Sequence, residues 1–284
     1  MKIVFFGEDS FSQIVLQTLL SNRIEVLAVV SPLYNNNIHK RLEYTSEINE
    51  IPYFRISNLE TPWLINLVKK LAPDLIVVTH FEKIIPESLF TIPRMGAINL
   101  HPSLLPRYRG LAPQHWPIIN GDAVTGITVH YIDKGIDTGD IILQITLPVH
   151  PEMYVSDLQQ QFYRKYPDVI LEAIRLIQNN SVKPVKMSPE AGSYYGKLKK
   201  EDCRIFLTKT RSEILNLIKG VSLPYFGAFI NDTIIWRARL ANDEENQDIL
   251  KDYDQNGVYD SSKYGKILRL MDGGLIIEKY SKIE

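Results

Sequence analysis

Apolar residues follow two rhythms along this chain. Apolar runs at 2–6, 25–30 and 74–78, each opening on one charged residue, alternate with stretches at 11–20 and 59–71 in which apolar positions recur every three or four residues. The runs predict strands buried on both faces and the periodic stretches predict helices. Strand and helix in alternation predict an α/β domain with a mostly parallel, Rossmann-like sheet covered on both sides. After the second strand, residues 31–41 (SPLYNNNIHKR) are polar and turn-prone and read as a loop. Two further strands are predicted at 126–132 and 141–145, joined by a loop at 133–140, and a long helix at 155–177. The character then changes. Residues 179–193 hold Asn-Asn-Ser, two prolines and Gly192, and the domain boundary is placed there, giving domains 1–188 and 189–284. Past it, one helix (210–218) accompanies short strand-like pieces at 228–230, 233–239, 266–270 and 274–278. These predict a small, mainly β module of the open-barrel, OB-like kind.

Composition narrows the class. Of 284 residues 45% are hydrophobic and 23% charged, and the formal net charge is -1, so no basic excess points to nucleic acid. The single cysteine, Cys203, can form no internal disulfide and belongs to no zinc-like cluster. No apolar run has the length of a signal-peptide core or a membrane span, and a cytoplasmic protein without membrane contact is expected. Gly7 follows the first strand, but GEDSFS lacks the second and third glycines of a dinucleotide loop, and no P-loop is present. Gly7 therefore reads as a strand-to-helix turn.

The chemistry concentrates in Ile98–Gly110, INLHPSLLPRYRG. Asn99 and His101 stand two apart at a strand end, so their side chains share a face, and Pro102 fixes the exit of the chain. In open α/β sheets such ends carry the ligand site. A histidine at a strand end is by itself more often a structural hydrogen-bonder than a catalyst. Asp137, in the loop YIDKGIDTGD, reads by itself as a turn residue. Together the three suit acyl transfer to nitrogen. A carboxylate beside the imidazole fixes its tautomer and raises its pKa, the imidazole takes a proton from an amine, and the amide donates to a developing oxyanion. No serine or cysteine nucleophile is needed if the acyl donor arrives activated.

INLHPSLLPRYRG followed by VTGITVHYIDKGIDTGDIILQ resembles the folate-dependent formyltransferases, with the aspartate 36 positions after the histidine. That family includes glycinamide ribonucleotide transformylase, methionyl-tRNA formyltransferase and the sugar-nucleotide N-formyltransferases. The likeness runs from the first strand to about Ile145 and resumes more loosely at YYGKLKKEDCRIF and PYFGAFI. The resemblance implies that Asn99, His101 and Asp137 are the catalytic triad and that N10-formyltetrahydrofolate is the formyl donor, without a metal. It places the pterin against Lys83, Ile84 and Ile85 and the stretch from Asp133 through Gly135 to Asp137. Read from the sequence alone, the Ile84–Ile85 pair is core packing. Ser103, Arg107, Arg109 and Gly110 border the acceptor site in relatives, whereas Asp133 and Asp140 also read as loop-shaping.

Three acceptor classes remain. Glycinamide ribonucleotide enzymes lack a second domain of this type. Methionyl-tRNA enzymes carry a basic insert after the second strand, where this chain has only Lys40 and Arg41 beside His39, and its DEENQDILKDYD run is acidic. Sugar-nucleotide enzymes share RG-x-AP and INGD with RGLAPQHWPIINGD, which implies that Gln114, His115 and Trp116 face or support the acceptor pocket; read by itself, Trp116 is more readily core. The second domain also resembles that of the amino-arabinose formyltransferase of lipid A modification. The expected acceptor is thus a dTDP- or UDP-linked aminodeoxysugar, its product a formamido sugar for a bacterial surface glycan (O-antigen or lipopolysaccharide). Relatives of this kind are often homodimers. The alternatives are methionyl-tRNA, then a formyltetrahydrofolate hydrolase or a non-catalytic folate binder. The hydrolases use the same three residues but usually carry a domain before the catalytic one, and this chain starts at the first strand.

Overall fold

The computed structural model describes residues 1–33 and 40–283. In chain order the first elements are β1 (Lys2–Gly7), α1 (Ser10–Ser21), β2 (Glu25–Pro32), α2 (Arg41–Ile48), β3 (Tyr53–Ile56), α3 (Pro62–Leu71), β4 (Leu75–Thr79), α4 (Glu87–Phe90) and β5 (Ala97–His101). They are followed by β6 (Arg109–Gly110), α5 (Trp116–Ile119), β7 (Val124–Tyr131), β8 (Ile141–Pro148), α6 (Val155–Gln178) and β9 (Tyr194–Tyr195). The remainder is α7 (Arg211–Val221), β10 (Ala228–Ile230), β11 (Thr233–Leu240), α8 (Asp243–Asp252), β12 (Gly257–Ser261), β13 (Gly265–Leu270) and β14 (Gly273–Lys282). Of the segment read as a loop, Ser31 and Pro32 close β2 and Arg41 opens α2; residues 34–39 lie outside the described residues. Among the described residues no helix is long and apolar enough to cross a membrane.

Two compact units divide the chain. The first holds residues 1–113, 126–147 and 161–195, and the second holds 114–125, 148–160 and 196–284. In the first unit a seven-stranded sheet runs β3-β2-β1-β4-β5-β7-β8 among the described residues, parallel from β3 to β5, with β7 antiparallel to β5. The expected mostly parallel α/β sheet is therefore present. Val4, Phe6, Val30, Ile76, Val78 and Ala97 from the strands and Leu64, Val68 and Leu89 from the helices make one buried cluster on one face. Thr61 caps α3 by accepting the Leu64 amide, and Pro62 stands in its first turn, which marks the helix start in the sequence.

The strand order reverses between β1 and β4, where doubly wound sheets ordinarily bind nucleotides. Here the position is filled from within. Asp9 caps α1 through the Phe11 and Ser12 amides, while the Ser12 hydroxyl donates to the Thr79 carbonyl and accepts from the Glu8 amide. His80 lies between the Asp9 carboxylate (3.0 Å) and the Tyr166 hydroxyl (2.8 Å). Amides that would cradle a pyrophosphate are already bound. A Cβ on residue 7 would strike Ser12, so Gly7 serves helix packing.

In the second unit an antiparallel sheet runs β10-β11-β14-β13-β12, the mainly β half-barrel expected there. Two elements here differ from the sequence expectation, β12 and α8. The acidic run after Asn242 is a helix, α8, with Ile249 and Glu245 buried. Asn242 accepts the Glu245 amide, Glu245 accepts the Asn242 amide, and Arg239 holds the Glu245 carboxylate through two 2.7 Å bonds. The run lacks an apolar stripe, and its capping box is what forms the helix.

Candidate functional site

β5 ends with Asn99 and His101, and its register places Asn99 directly across from His130 on β7 and His101 across from Thr128. Directly opposed residues of an antiparallel pair project on one face. Asn99, His101 and His130 therefore converge. The loop after β7 brings Asp137 to the same place. Its carboxylate oxygens lie 3.2 Å from Asn99 Nδ2, 3.5 Å from His130 Nε2 and 3.7 Å from His101 Nδ1, and Oδ2 accepts the Gly110 amide at 2.8 Å. Asp137 has a left-handed φ of 51°, which a short polar side chain tolerates. Two glycines make the loop: a Cβ on residue 139 would collide with the Tyr131 carbonyl, and one on residue 135 with the Thr138 hydroxyl. The Asp133 carboxylate accepts from the Gly135 amide and Thr138 hydroxyl, so its side chain shapes the loop, while Asp140 is exposed and accepts the Tyr131 amide through its carbonyl.

Proton positions are set by the partners. His101 Nε2 is 2.8 Å from the Tyr108 carbonyl, which can only accept, so Nε2 carries the hydrogen and Nδ1 is the basic atom facing Asp137. The tautomer is thus set by Tyr108, not by the carboxylate as the sequence suggested; 3.7 Å is too long for a hydrogen bond. Burial is the largest influence on His101 and pushes its pKa below the usual 6.5; Asp137 and the Tyr108 carbonyl pull it upward without reversing the shift. The net direction is opposite to the expected rise. Burial also works to raise the Asp137 carboxyl, but His101, His130 and the Gly110 amide together hold it well below the usual carboxylate range. At neutral pH the set is an ionised Asp137 beside an uncharged His101.

His130 was not anticipated from the sequence. Its Nδ1 lies 2.8 Å from the Tyr131 carbonyl and so donates, leaving Nε2 to accept from Asn99 Nδ2 at 3.3 Å. Both amide hydrogens of Asn99 are thereby engaged, one by Asp137 and one by His130. The usable signal was the alternation of Thr128 and His130 in VTGITVHY, legible only once β7 is known to run antiparallel to β5.

The other anticipated residues separate. Ile85 is 4% exposed in the core, whereas its neighbour Ile84 is 66% exposed. Both nonetheless line one cavity of about 680 Å³, with Lys83, Leu59, Phe90, Asp133 and Lys134. Apolar side chains (Leu59, Ile84, Ile85, Pro86, Phe90) and charged ones (Glu60, Glu82, Lys83, Glu87, Asp133, Lys134) line it together. Lys83 donates to the Ser57 carbonyl at 2.8 Å. The buried Ser103 hydroxyl donates to the Arg107 carbonyl and closes the turn. Arg107 is exposed and lies over the Tyr108 ring, and Arg109 reaches the Ile136 and Pro189 carbonyls. Gln114, His115 and Trp116 belong to the second unit, where Gln114 donates to the Tyr225 hydroxyl and the buried His115 donates to the Gly220 carbonyl.

Residues 1–174 match the family described as formyl transferase, and residues 197–282 match its C-terminal domain. A methionyl-tRNA formyltransferase from Clostridioides difficile (strain 630) is 33% identical over 290 residues, covering 98% of this chain and 91% of the relative. Among solved structures, WlaRD, described as a sugar 3N-formyl transferase in the presence of dTDP and 5-N-formyl-THF, superposes with a TM-score of 0.73 at 25% identity. That match covers 100% of this chain and 98% of the other. The N-formyltransferase from Helicobacter canadensis, solved with folinic acid and dTDP-3-aminofucose, has the same fold, with a TM-score of 0.73 at 24% identity and 99% and 100% coverage.

Proposed function

The chain belongs to the formyl transferase family and is a formyltransferase, and on that premise we infer that it carries a formyl group from N10-formyltetrahydrofolate to the amine of a nucleotide-linked aminodeoxysugar. N10-formyltetrahydrofolate supplies the activated formyl group when bound, and the cavity lined by Lys83, Ile84, Ile85 and Asp133 is the place this reading assigns to its ring. This chain's residues do the rest. Uncharged His101 accepts the amine proton at Nδ1 as the amine adds to the formyl carbon, the Asp137 carboxylate stabilises the imidazolium so formed, and the proton then passes to N10 of the donor as its bond to the formyl carbon breaks. The Tyr108 carbonyl keeps Nε2 from competing as the acceptor. Asn99 exchanges one of its two amide hydrogen bonds, to Asp137 or to His130, for the formyl oxygen as negative charge develops there.

The observation that most supports a sugar acceptor is the full-length likeness to a sugar 3N-formyl transferase. Charge agrees with it. Residues 196–284 carry nearly equal numbers of acidic and basic residues, and the stretch 31–41 has only two cations, a poor surface for tRNA phosphates. The product would enter a bacterial surface glycan, with the enzyme working as a cytoplasmic homodimer. A second reading, methionyl-tRNA as acceptor, is favoured by the 33% identity to a methionyl-tRNA formyltransferase. Titration of the protein with dTDP, UDP and initiator tRNA separates the two. The sugar reading predicts saturable nucleotide binding with a shallow salt dependence. Tight tRNA binding that weakens steeply with salt, with no nucleotide binding, would favour the second.

A further inference from the structure

The segment after α6 meets the strand beside the site through its backbone and through the Ser193 hydroxyl. Ser193 Oγ accepts the Tyr108 amide at 2.9 Å, the Ser193 carbonyl accepts the Arg109 amide at 2.9 Å, and the Ser193 amide donates to the Pro106 carbonyl at 3.2 Å. One residue on, β9 runs parallel to β6, and the Tyr195 carbonyl accepts the Leu111 amide. Both ends of this contact are closer than side chains permit. A Cβ on Gly192 would collide with the Pro106 carbonyl, and one on Gly110 with the Tyr195 carbonyl.

The pinned strand carries the two backbone groups on which the site depends. The Tyr108 carbonyl holds His101 Nε2–H, and the Gly110 amide holds Asp137 Oδ2, each at 2.8 Å. Tyr108 reaches its carbonyl from a left-handed φ of 61°, a conformation that a bulky side chain keeps only when its surroundings impose it. The Ser193 hydroxyl binds the amide of that same residue. We propose that Ser193 is a positioning residue for formyl transfer: through Tyr108 it fixes which imidazole nitrogen of His101 is left to accept the proton. Ser193 lies 92 positions after His101 and touches neither the imidazole nor Asp137 directly. The proposal rests on the formyltransferase reading, but its first readout needs no acceptor.

The test uses the full-length protein labelled with 15N at histidine, with His101 assigned by difference against His101→Asn. In the unsubstituted protein the His101 pattern is that of a single neutral tautomer protonated at Nε2. Ser193→Ala should mix the two tautomers and lower turnover about tenfold, with the KM for N10-formyltetrahydrofolate held within about twofold. Ser193→Thr, which keeps the hydroxyl, should restore both. Ser193→Cys, similar in size with a weaker acceptor, replaces the alanine variant if that does not fold. A His101 tautomer unchanged in Ser193→Ala overturns the proposal, whether or not turnover or thermal stability falls. If no acceptor is ever formylated, the acceptor reading fails while the tautomer result still decides the role of Ser193.

Discussion

At His101 burial and a neighbouring carboxylate act in opposite directions, and burial is the stronger, so the side chain is an uncharged base at neutral pH. The acid limb of kcat/KM should therefore lie below pH 6.5, with activity rising as pH rises through it. Asp137 raises the His101 pKa, so Asp137→Asn should move that limb to still lower pH and reduce turnover about a hundredfold or more. A pH–rate profile of both proteins checks this; an unmoved limb would mean that His101 is not the group titrating. Asn99 and His101 were legible as a pair from their spacing on a strand, whereas Asp137, by itself a turn residue, was joined to them by the family resemblance. Tyr108 contributes a carbonyl and Gly110 an amide, and backbone groups leave no mark in residue identity. His130 was hidden for another reason: its place beside Asn99 depends on strand direction, which hydrophobic pattern does not encode.

Elements with apolar stripes and capping residues were legible from the chain, elements held by polar contacts were not. α3 and α7 have both signals: Thr61 with Pro62, and Thr210 in a capping box with Glu213. Thr210→Ala should lower stability by about 1 kcal/mol in a urea titration. α2 buries Leu42 beside Thr45 and Ser46, and α8 is held by Asn242 and a buried Glu245 paired with Arg239, so neither has a stripe to read. β6 and β9 have two residues each, too short for any periodicity, although they support the site. Gly110 in β6 has a φ of 93° and no room for a Cβ. Gly110→Ala should lose roughly 1–3 kcal/mol of stability and most of the activity; near-parental values in chemical denaturation would contradict the β6–β9 clamp.

For the whole molecule, two buried histidines tie stability to pH. Burial lowers His115 to about 4 despite its bond to the Gly220 carbonyl, and lowers His101 as well. The unfolded chain then binds more protons than the folded one between the lowered pKa and 6.5. Stability is therefore full above about pH 6.5 and falls as pH drops toward 4, by about 3 kcal/mol for His115. Thermal melts across this range should show the decline, and His115→Asn, whose amide can replace the Nδ1–H donor, should flatten part of it.

Formyl transfer to an aminosugar at the Asn99–His101–Asp137 site is open to a single assay. Its most direct test is turnover with N10-formyltetrahydrofolate on a panel of dTDP- and UDP-linked aminosugars alongside methionine-charged initiator tRNA, followed by mass spectrometry of the acceptor. The predicted result is a formyl mass increment on an aminosugar, lost in His101→Ala. Formylation of charged tRNA with none on any aminosugar would contradict the acceptor, and formylation that survives His101→Ala would contradict the site.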